Sequence, residues 1–161
     1  MKTWFKFFYA AAAVLLTAYI CSVLTQTGIR SWYHAFPRPR LTPPDIVFPI
    51  AWSVIYALLI ISTFIVLRDA KDALRDRANN LFILQLVLQI LWCAAFFVEG
   101  YLGLGLAVII LLDIAVFKMI VTFGRINRLA AWLVYPYYWW LLFATFLNAS
   151  FVYAGGLVVV F

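Results

Sequence analysis

The sequence predicts an all-α membrane protein, a bundle of five transmembrane helices. Of the 161 residues, 68% are hydrophobic and only 11% are charged, and the mean hydropathy is +1.04. Soluble domains contain about half apolar and a quarter charged residues, so this composition cannot cover a globule with polar surface. Five apolar stretches are each long enough to cross a bilayer as a helix, at about residues 4–27, 45–67, 79–98, 101–123 and 129–153. We expect one membrane domain over residues 1–161.

The first stretch follows Lys2 and Lys6, as the apolar part of a secretory signal peptide does. It is longer than such a peptide requires, and no small-x-small cleavage site follows it near Thr25. We therefore interpret it as the first spanning helix. Cys21 in this stretch and Cys93 in the third have no CxxC spacing or Cys/His cluster around them, so we expect two small buried core residues.

The connectors between the stretches are short and contain most of the charge. The longest, TGIRSWYHAFPRPRLTPPD, has four prolines, which exclude a regular helix. The segment RDAKDALRDRANN predicts a charged, water-facing turn, and EGYLG and GRINR predict tight hairpins. The small-residue run GYLGLGLA either lets helices approach closely or is a hairpin followed by an ordinary helix.

Basic residues are distributed unequally between the two sides of the predicted bundle. One side carries Lys2, Lys6, Arg68, Lys71, Arg75, Arg77, Arg125 and Arg128, and the other carries Arg30, Arg38 and Arg40. Because Lys and Arg concentrate in cytoplasmic loops, the N-terminus is predicted to be cytoplasmic. The same placement at segment ends explains the net charge of +6 without a nucleic-acid partner.

Helical periodicity places aromatic and amide side chains of the second and third stretches on single faces. In the second stretch, one aromatic stripe contains Phe48, Trp52 and Tyr56. In the third, residues within about 80° of arc are Gln85, Gln89, Trp92, Phe96 and Glu99. Glutamine is costly against lipid, so the face of the third stretch should look into the bundle.

The fifth stretch contains the cluster YPYYWW at residues 135–140. At 100° per residue, one face holds Pro136, Tyr137, Trp140, Ala144 and Asn148, whereas Tyr138 and Trp139 point to lipid or to a neighbouring helix. Pro136 removes one backbone hydrogen bond and is expected to bend this helix. The three inward faces suit a flat, largely apolar ligand such as a tetrapyrrole or sterol. The same aromatic residues could equally fill the core of the bundle.

Few residues have the character of a catalytic or metal site. Asp113, near the middle of the fourth stretch, is either a functional group or a buried carboxyl bonded to a neighbouring helix. His34, the only histidine, lies in the proline-rich connector, where it is a solvated side chain or a weak candidate for haem ligation. Without paired carboxylates, a phosphate loop or metal-ligand spacing, we expect no firm catalytic residue, no metal and no required cofactor.

Three segments resemble, in order and spacing, the signatures of the translocator protein family, the TspO/MBR or tryptophan-rich sensory proteins. They are WYHAFPRPRLTPPDIVFPIAWSVIY, QLVLQILWCAAFF and AAWLVYPYYWWLLFATFLN, and the resemblance covers about residues 32–148. It implies a five-helix bundle, often a homodimer, with a pocket between helices that the first connector closes. It also implies a bacterial member of the family, in the cell membrane.

The resemblance further implies binding of porphyrins such as protoporphyrin IX and haem, and, in mitochondrial members, of cholesterol and benzodiazepine-type drugs. Combined with the inward faces, it gives the expected ligand-binding residues: Tyr33, Pro44, Phe48, Trp52, Tyr56, Gln89, Trp92, Phe96, Tyr137, Trp140, Ala144 and Asn148. Gln89 departs from the asparagine usual in the family. No Lys or Arg follows Asn148, so the mitochondrial cholesterol motif is absent.

Three functions follow as hypotheses. The chain is a membrane receptor or sensor for tetrapyrroles, a light- or oxygen-dependent porphyrin-degrading enzyme that uses Trp52 and Trp140, or a transporter of tetrapyrroles or related metabolites. The sequence favours the receptor because it offers an aromatic pocket but neither a charged relay nor the internal repeat of many transporters.

Overall fold

The computed structural model describes residues 3–34 and 42–155, and within these ranges every regular element is helical. The long helices are α1 (Thr3–Gly28), α2 (Val47–Asp69), α3 (Asp72–Cys93), α4 (Leu102–Ile126) and α5 (Arg128–Gly155). α1 continues in a π-helical turn over Ile29–Tyr33, and α3 continues in another over Ala94–Val98. The predicted all-α class is confirmed. Lys2, Arg38 and Arg40, which contribute to the predicted charge asymmetry, lie outside the described residues.

Four segments of the described chain are long and apolar enough to cross a membrane: Thr3–Tyr33, Val47–Asp69, Ala73–Val98 and Leu102–Ile126. α5 has 28 residues, but it is not among them. Its tyrosine, proline and tryptophan residues at positions 135–140 have lower hydropathy than the aliphatic residues of the other helices. The structure thus gives four candidate spans among five helices.

The first helix extends beyond the predicted end near residue 27. Residues 27–33 are helical, so Tyr33 lies on a helix end and not in the proline-rich connector. α2 in turn begins at Val47, after a turn in which the Val47 N–H donates to the Pro44 carbonyl oxygen at 2.9 Å.

The charged segment RDAKDALRDRANN is not the predicted turn. Only Ala70 and Lys71 separate α2 from α3, and residues 72–77 form the first turns of α3. Alanine, leucine and arginine are strong helix formers, which explains why the charge accompanies a helix here. Arg75 donates from Nε and Nη2 to the Ala70 carbonyl oxygen, at 3.1 and 2.6 Å. These hydrogen bonds stabilise the connection between α2 and α3.

The two remaining connections are as tight as predicted. Gly100 has a φ of 62°, the left-handed conformation that glycine adopts at no steric cost, and it turns the chain from α3 into α4. Asn127 alone separates α4 from α5. Its Oδ1 accepts from the Ala130 N–H at 3.3 Å, as a helix N-cap does. Its Nδ2 donates to Asp69 Oδ2 at 2.8 Å, which joins this connection to the end of α2.

The two π-helical turns pack directly against each other. A Cβ atom on Gly28 would lie 2.8 Å from both Cα and Cβ of Phe97, so only glycine permits this approach. The Trp32 indole N–H donates to the Phe97 carbonyl oxygen at 3.0 Å, and the Trp32 ring meets the Phe96 ring at 5.5 Å. The end of α1 is thereby fixed to the end of α3.

In the run GYLGLGLA, Gly105 makes close contacts with other helices of the same chain. A Cβ atom on Gly105 would lie 3.1 Å from Asn148 Oδ1 and 3.2 Å from Phe96 Cβ. Gly105 is buried, whereas Ala107 is exposed. Of the two interpretations left by the sequence, close helix packing holds at Gly105, where α4 meets α3 and α5.

Candidate functional site

Aromatic rings from α2 and α5 meet along one seam of the bundle. Trp52 stacks on Tyr56, with ring centroids 5.4 Å apart and planes inclined by 26°, and it contacts Tyr137 edge-on at 6.0 Å. Phe48 contacts Trp140 edge-on at 5.8 Å. These five residues, with Ala144, form what we call the α2–α5 aromatic site. Apart from the buried Tyr137, all of them are partly accessible.

Two glutamines of α3 hold the hydroxyl groups of this site. Gln89 Nε2 donates to the Tyr56 hydroxyl at 2.7 Å. The Tyr137 hydroxyl donates to Gln85 Oε1 at 2.8 Å, and Gln89 Oε1 lies 3.4 Å from the same hydroxyl. Both glutamines are fully buried, as the periodicity predicts. Because buried polar groups need partners, this network fixes the two tyrosine rings against α3.

Asn148 of α5 is hydrogen-bonded to residues of α3 and α4. Its Oδ1 accepts from the Trp92 indole N–H at 3.1 Å, and its Nδ2 donates to the Leu102 carbonyl oxygen at 3.0 Å. Trp92 stacks on Phe96, with ring centroids 5.9 Å apart. Asn148 is only 1% exposed, so its amide is committed to protein partners in this structure.

The residues that the sequence assigns to ligand binding divide into two groups by accessibility. The accessible or half-buried group is Pro44, Phe48, Trp52, Tyr56, Trp140 and Ala144, and the buried group is Tyr33, Gln89, Trp92, Phe96, Tyr137 and Asn148. Every member of the first group lies on α5, on α2 or just before α2. The accessible members of the predicted set therefore lie together on the α2–α5 face, whereas the others are covered by the bundle.

Comparison with known proteins identifies the family. The model of the TspO/MBR family matches residues 10–154. The chain belongs to the TspO/MBR family. The tryptophan-rich protein TspO of Archaeoglobus fulgidus is 36% identical to it over 138 residues, which are 84% of this chain and 88% of that protein.

Further TspO/MBR relatives come from bacteria and animals. Protein CrtK of Rhodobacter capsulatus is 32% identical over 121 residues, 74% of this chain and 76% of CrtK. The human translocator protein is 30% identical over 123 residues, 75% of this chain and 72% of the human protein. Together with its apolar helices, these relatives make the chain a multi-pass integral membrane protein.

In the cluster YPYYWW of this TspO/MBR chain, the helical wheel correctly separates Tyr137 and Trp140 from Trp139, but Pro136, which it places on the same inward face, is exposed. Trp139 is 66% exposed, whereas Trp140 is half-buried between Phe48 and Phe143, the latter at 5.6 Å. Tyr138 packs on Phe117 of α4 at 5.9 Å. Two adjacent tryptophans thus differ in environment, which provides a matched pair for experiment.

Tyr33 and His34 lie side by side at the end of α1. Tyr33 is buried against Phe97 and Phe151, at ring distances of 6.0 and 5.6 Å. The His34 side chain is 43% exposed, and its Nε2 lies 3.5 Å from Asp45 Oδ2, an ion pair when the imidazole is protonated. Within residues 3–34 and 42–155, no group of three or more His, Cys, Asp or Glu side chains could hold a metal ion.

Sequence periodicity missed the effect of the π-helical turns. The periodicity predicts Glu99 on the inward face of α3, but Glu99 is exposed, because the turn over Ala94–Val98 changes the phase of the helix before it. The same turn brings Phe97 against Trp32, a contact outside the predicted site. The dipeptide FF and the segment WYH were visible in the sequence, but a constant 100° step cannot show such a shift.

A separate groove of about 540 Å³ lies on one face of α1 and its π-helical turn. It is lined by Ser22, Val23, Gln26, Thr27, Arg30 and Ser31. None of these residues belongs to the expected ligand-binding set, and all come from one helical segment. The groove is therefore distinct from the α2–α5 aromatic site.

Proposed function

We propose that this TspO/MBR protein is an integral membrane receptor or sensor that binds a flat hydrophobic ligand at the α2–α5 aromatic site. The favoured ligand is a porphyrin, protoporphyrin IX or haem. The observation that carries the proposal is the pair of half-buried tryptophans on facing helices, Trp52 on α2 and Trp140 on α5. Names of relatives such as "tryptophan-rich sensory protein" in Cereibacter sphaeroides agree with a sensor.

The ring geometry suits a planar macrocycle. Phe48 and Trp140 meet edge-on at 5.8 Å, so a flat ligand that enters between α2 and α5 exchanges one edge contact for stacking contacts on both helices. Each favourable aromatic pair contributes about 0.5–1.5 kcal/mol beyond its buried area. Trp52 and Trp140 therefore act as two stacking surfaces for the same ligand.

The site is organised before the ligand arrives. The hydroxyl groups of Tyr56 and Tyr137 are already bound to Gln89 and Gln85, and Trp52 rests on both tyrosine rings. A wall fixed in this way loses little side-chain freedom on binding, which favours affinity.

Titration of the purified protein in detergent with protoporphyrin IX tests the proposal. Binding is followed by the porphyrin absorbance, because substitution of tryptophan alters the protein fluorescence. The double variant Trp52→Phe/Trp140→Phe is expected to bind about tenfold more weakly, since roughly 1.4 kcal/mol of stacking corresponds to that factor. Trp139→Phe, at the exposed neighbour, should keep the wild-type affinity.

Two results would contradict the assignment. Wild-type affinity in the double variant would exclude this pair as the stacking surface. Equal weakening by Trp139→Phe would show a general loss of structure in place of a local effect. A sterol added as competitor in the same titration determines whether it shares the site.

We also propose that α5 is a fifth span and that the N-terminus is cytoplasmic. α5 packs against α2 and α4 through Tyr137, Trp140 and Tyr138, and a helix between two spanning helices shares their surroundings. At one end of the bundle, the described basic residues are Lys6, Arg68, Lys71, Arg75, Arg77, Arg125 and Arg128. Such a concentration is typical of the cytoplasmic side.

A homodimer is the oligomeric state that we propose, on the basis of the family. Light scattering of the protein–detergent complex, corrected for bound detergent, measures the protein mass. We expect a mass of about twice the 18.5 kDa of one chain; a mass equal to one chain would exclude a stable dimer.

A further inference from the structure

Asp113 places a carboxyl group deep inside the membrane-spanning part of the protein. It lies roughly 17 and 20 Å from the two ends of α4, at 1.5 Å per residue, in a helix that qualifies as a membrane span. A bilayer core is about 30 Å thick, so the carboxyl is near its centre. The side chain is only 9% exposed.

The position on α4 is at the border between its buried and its lipid-facing sides. Leu112 and Val116 are fully buried, whereas Ile110 and Ile114 are about half exposed, at 44% and 46%. Asp113 therefore lies in the seam where α4 contacts α5, largely covered but with 9% of its surface still exposed beside these residues.

Only one oxygen of the carboxyl has a hydrogen-bond partner. The Thr145 hydroxyl of α5 donates to Asp113 Oδ2 at 2.7 Å. Asp113 Oδ1 is buried and has no partner among the described residues. A carboxylate at this depth would be an uncompensated charge in a medium that does not stabilise it, which is far more costly than a neutral carboxyl with one unpaired atom.

The charged and titratable groups around α4 do not compensate a carboxylate. Lys118 on α4 is exposed and lies on a different face. The charged residues of α3 lie at its beginning, in residues 72–77, and just after it at Glu99; those of α5 are limited, in its described part, to Arg128 at the start. Tyr137 of α5 is within electrostatic range of Asp113 but is an uncharged phenol whose proton is bound to Gln85.

We propose that Asp113 and Thr145 form a proton-binding site inside the membrane, in which the carboxyl carries its proton on Oδ1 while Oδ2 accepts from Thr145. The site is separate from the α2–α5 aromatic site and does not depend on the proposed ligand. Its ligand is a proton, and the seam between α4 and α5 gives an apolar reagent access to it from lipid.

The reagent dicyclohexylcarbodiimide tests this site in protein reconstituted into lipid vesicles. It partitions into lipid and adds across the O–H bond of a protonated carboxyl, so the modified peptide gains the mass of one reagent molecule. We expect this adduct on Asp113, located by mass spectrometry of the wild-type protein, with a yield that falls as the pH rises. Asp69 and Glu99, near helix ends, should react instead with a water-soluble carbodiimide.

Two variants refine the measurement. Asp113→Asn should give no adduct at position 113. Thr145→Val removes the donor that favours the ionised form, so labelling of Asp113 should extend to higher pH. Because the wild-type labelling is located directly, a folding defect in either variant leaves the main result intact.

Either of two outcomes overturns the proposal. If Asp113 is unmodified between pH 5 and pH 8 while the exposed carboxyls react with the soluble reagent, it does not hold an accessible proton. If the water-soluble reagent modifies Asp113 as readily as it modifies Asp69, the carboxyl is in contact with water and not in a membrane site.

Discussion

The residues of the aromatic site show what helical periodicity can and cannot predict. It correctly separated Trp140 from Trp139 and turned Gln85 and Gln89 inward, because the side of a regular helix depends only on residue spacing. It could not show that the amide of Asn148 is bound to Trp92 and Leu102, because those partners come from other helices. The sequence thus predicts which residues face the bundle more reliably than which ones are available to a ligand.

Substitution of Asn148 by alanine should reduce stability. It leaves the buried Trp92 N–H without its acceptor, which costs about 1–3 kcal/mol, and it opens space beside Gly105. We expect the Tm in detergent, followed by tryptophan fluorescence, to fall by several degrees. Asn80→Ala, at an exposed position of α3, is the control and should leave the Tm nearly unchanged. A variant of Asn148 with normal stability but lost porphyrin affinity would instead assign this amide to the ligand.

At the scale of the helices, the elements were predictable and their ends were not. The long apolar stretches predict α1 to α5, because an apolar segment that crosses lipid does so as a helix of about that length. The π-helical turns lie where Gly28 closely approaches Phe97, a contact between distant parts of the chain that a local pattern does not show. The charged residues Asp76 and Arg77 are exposed, but charge alone does not distinguish a turn from the first turns of a helix.

The variant Gly28→Ala should separate the ends of α1 and α3. The added Cβ would overlap backbone and side-chain atoms of Phe97 at 2.8 Å, and overpacking of this kind typically costs about 1–3 kcal/mol. We expect a lower Tm and faster proteolytic cleavage after α1. Gly124→Ala is the matched control, since its Cβ would meet only Ala131 Cβ, at an ordinary 3.6 Å. Similar behaviour of the two variants would mean that the close approach of Gly28 is unimportant.

On the scale of the whole molecule, the composition is sufficient to predict a membrane protein. It does not determine how many of the helices span the membrane. α5 falls short of the hydropathy of the other helices because tryptophan and tyrosine combine apolar rings with polar groups. The residues that lower its hydropathy include Tyr137 and Trp140, on which the proposed ligand site depends. Average hydropathy therefore separates α5 from the other helices even though α5 packs among them.

Cysteine accessibility in intact cells tests the five-span arrangement and its orientation. In a background with Cys21→Ala and Cys93→Ala, single substitutions Lys71→Cys and Tyr101→Cys mark opposite ends of α3, both at exposed positions. A membrane-impermeant maleimide should label Tyr101→Cys in intact cells and Lys71→Cys only after lysis. The reverse pattern would invert the orientation. Ala154→Cys, near the end of α5, should react from outside if α5 spans the membrane.

The single-residue connection at Asn127 has a consequence for how the protein is assembled. With one residue between them, α4 and α5 cannot be placed apart, so they must come together as a pair. The Asn127 side chain also donates a hydrogen bond to Asp69, at the end of α2, which is synthesised earlier. Arrival of this pair brings Tyr137 and Trp140 to Trp52. During biosynthesis, the α2–α5 aromatic site is thus completed last, and a chain that stops before α5 has only the aromatic residues that α2 contributes to it.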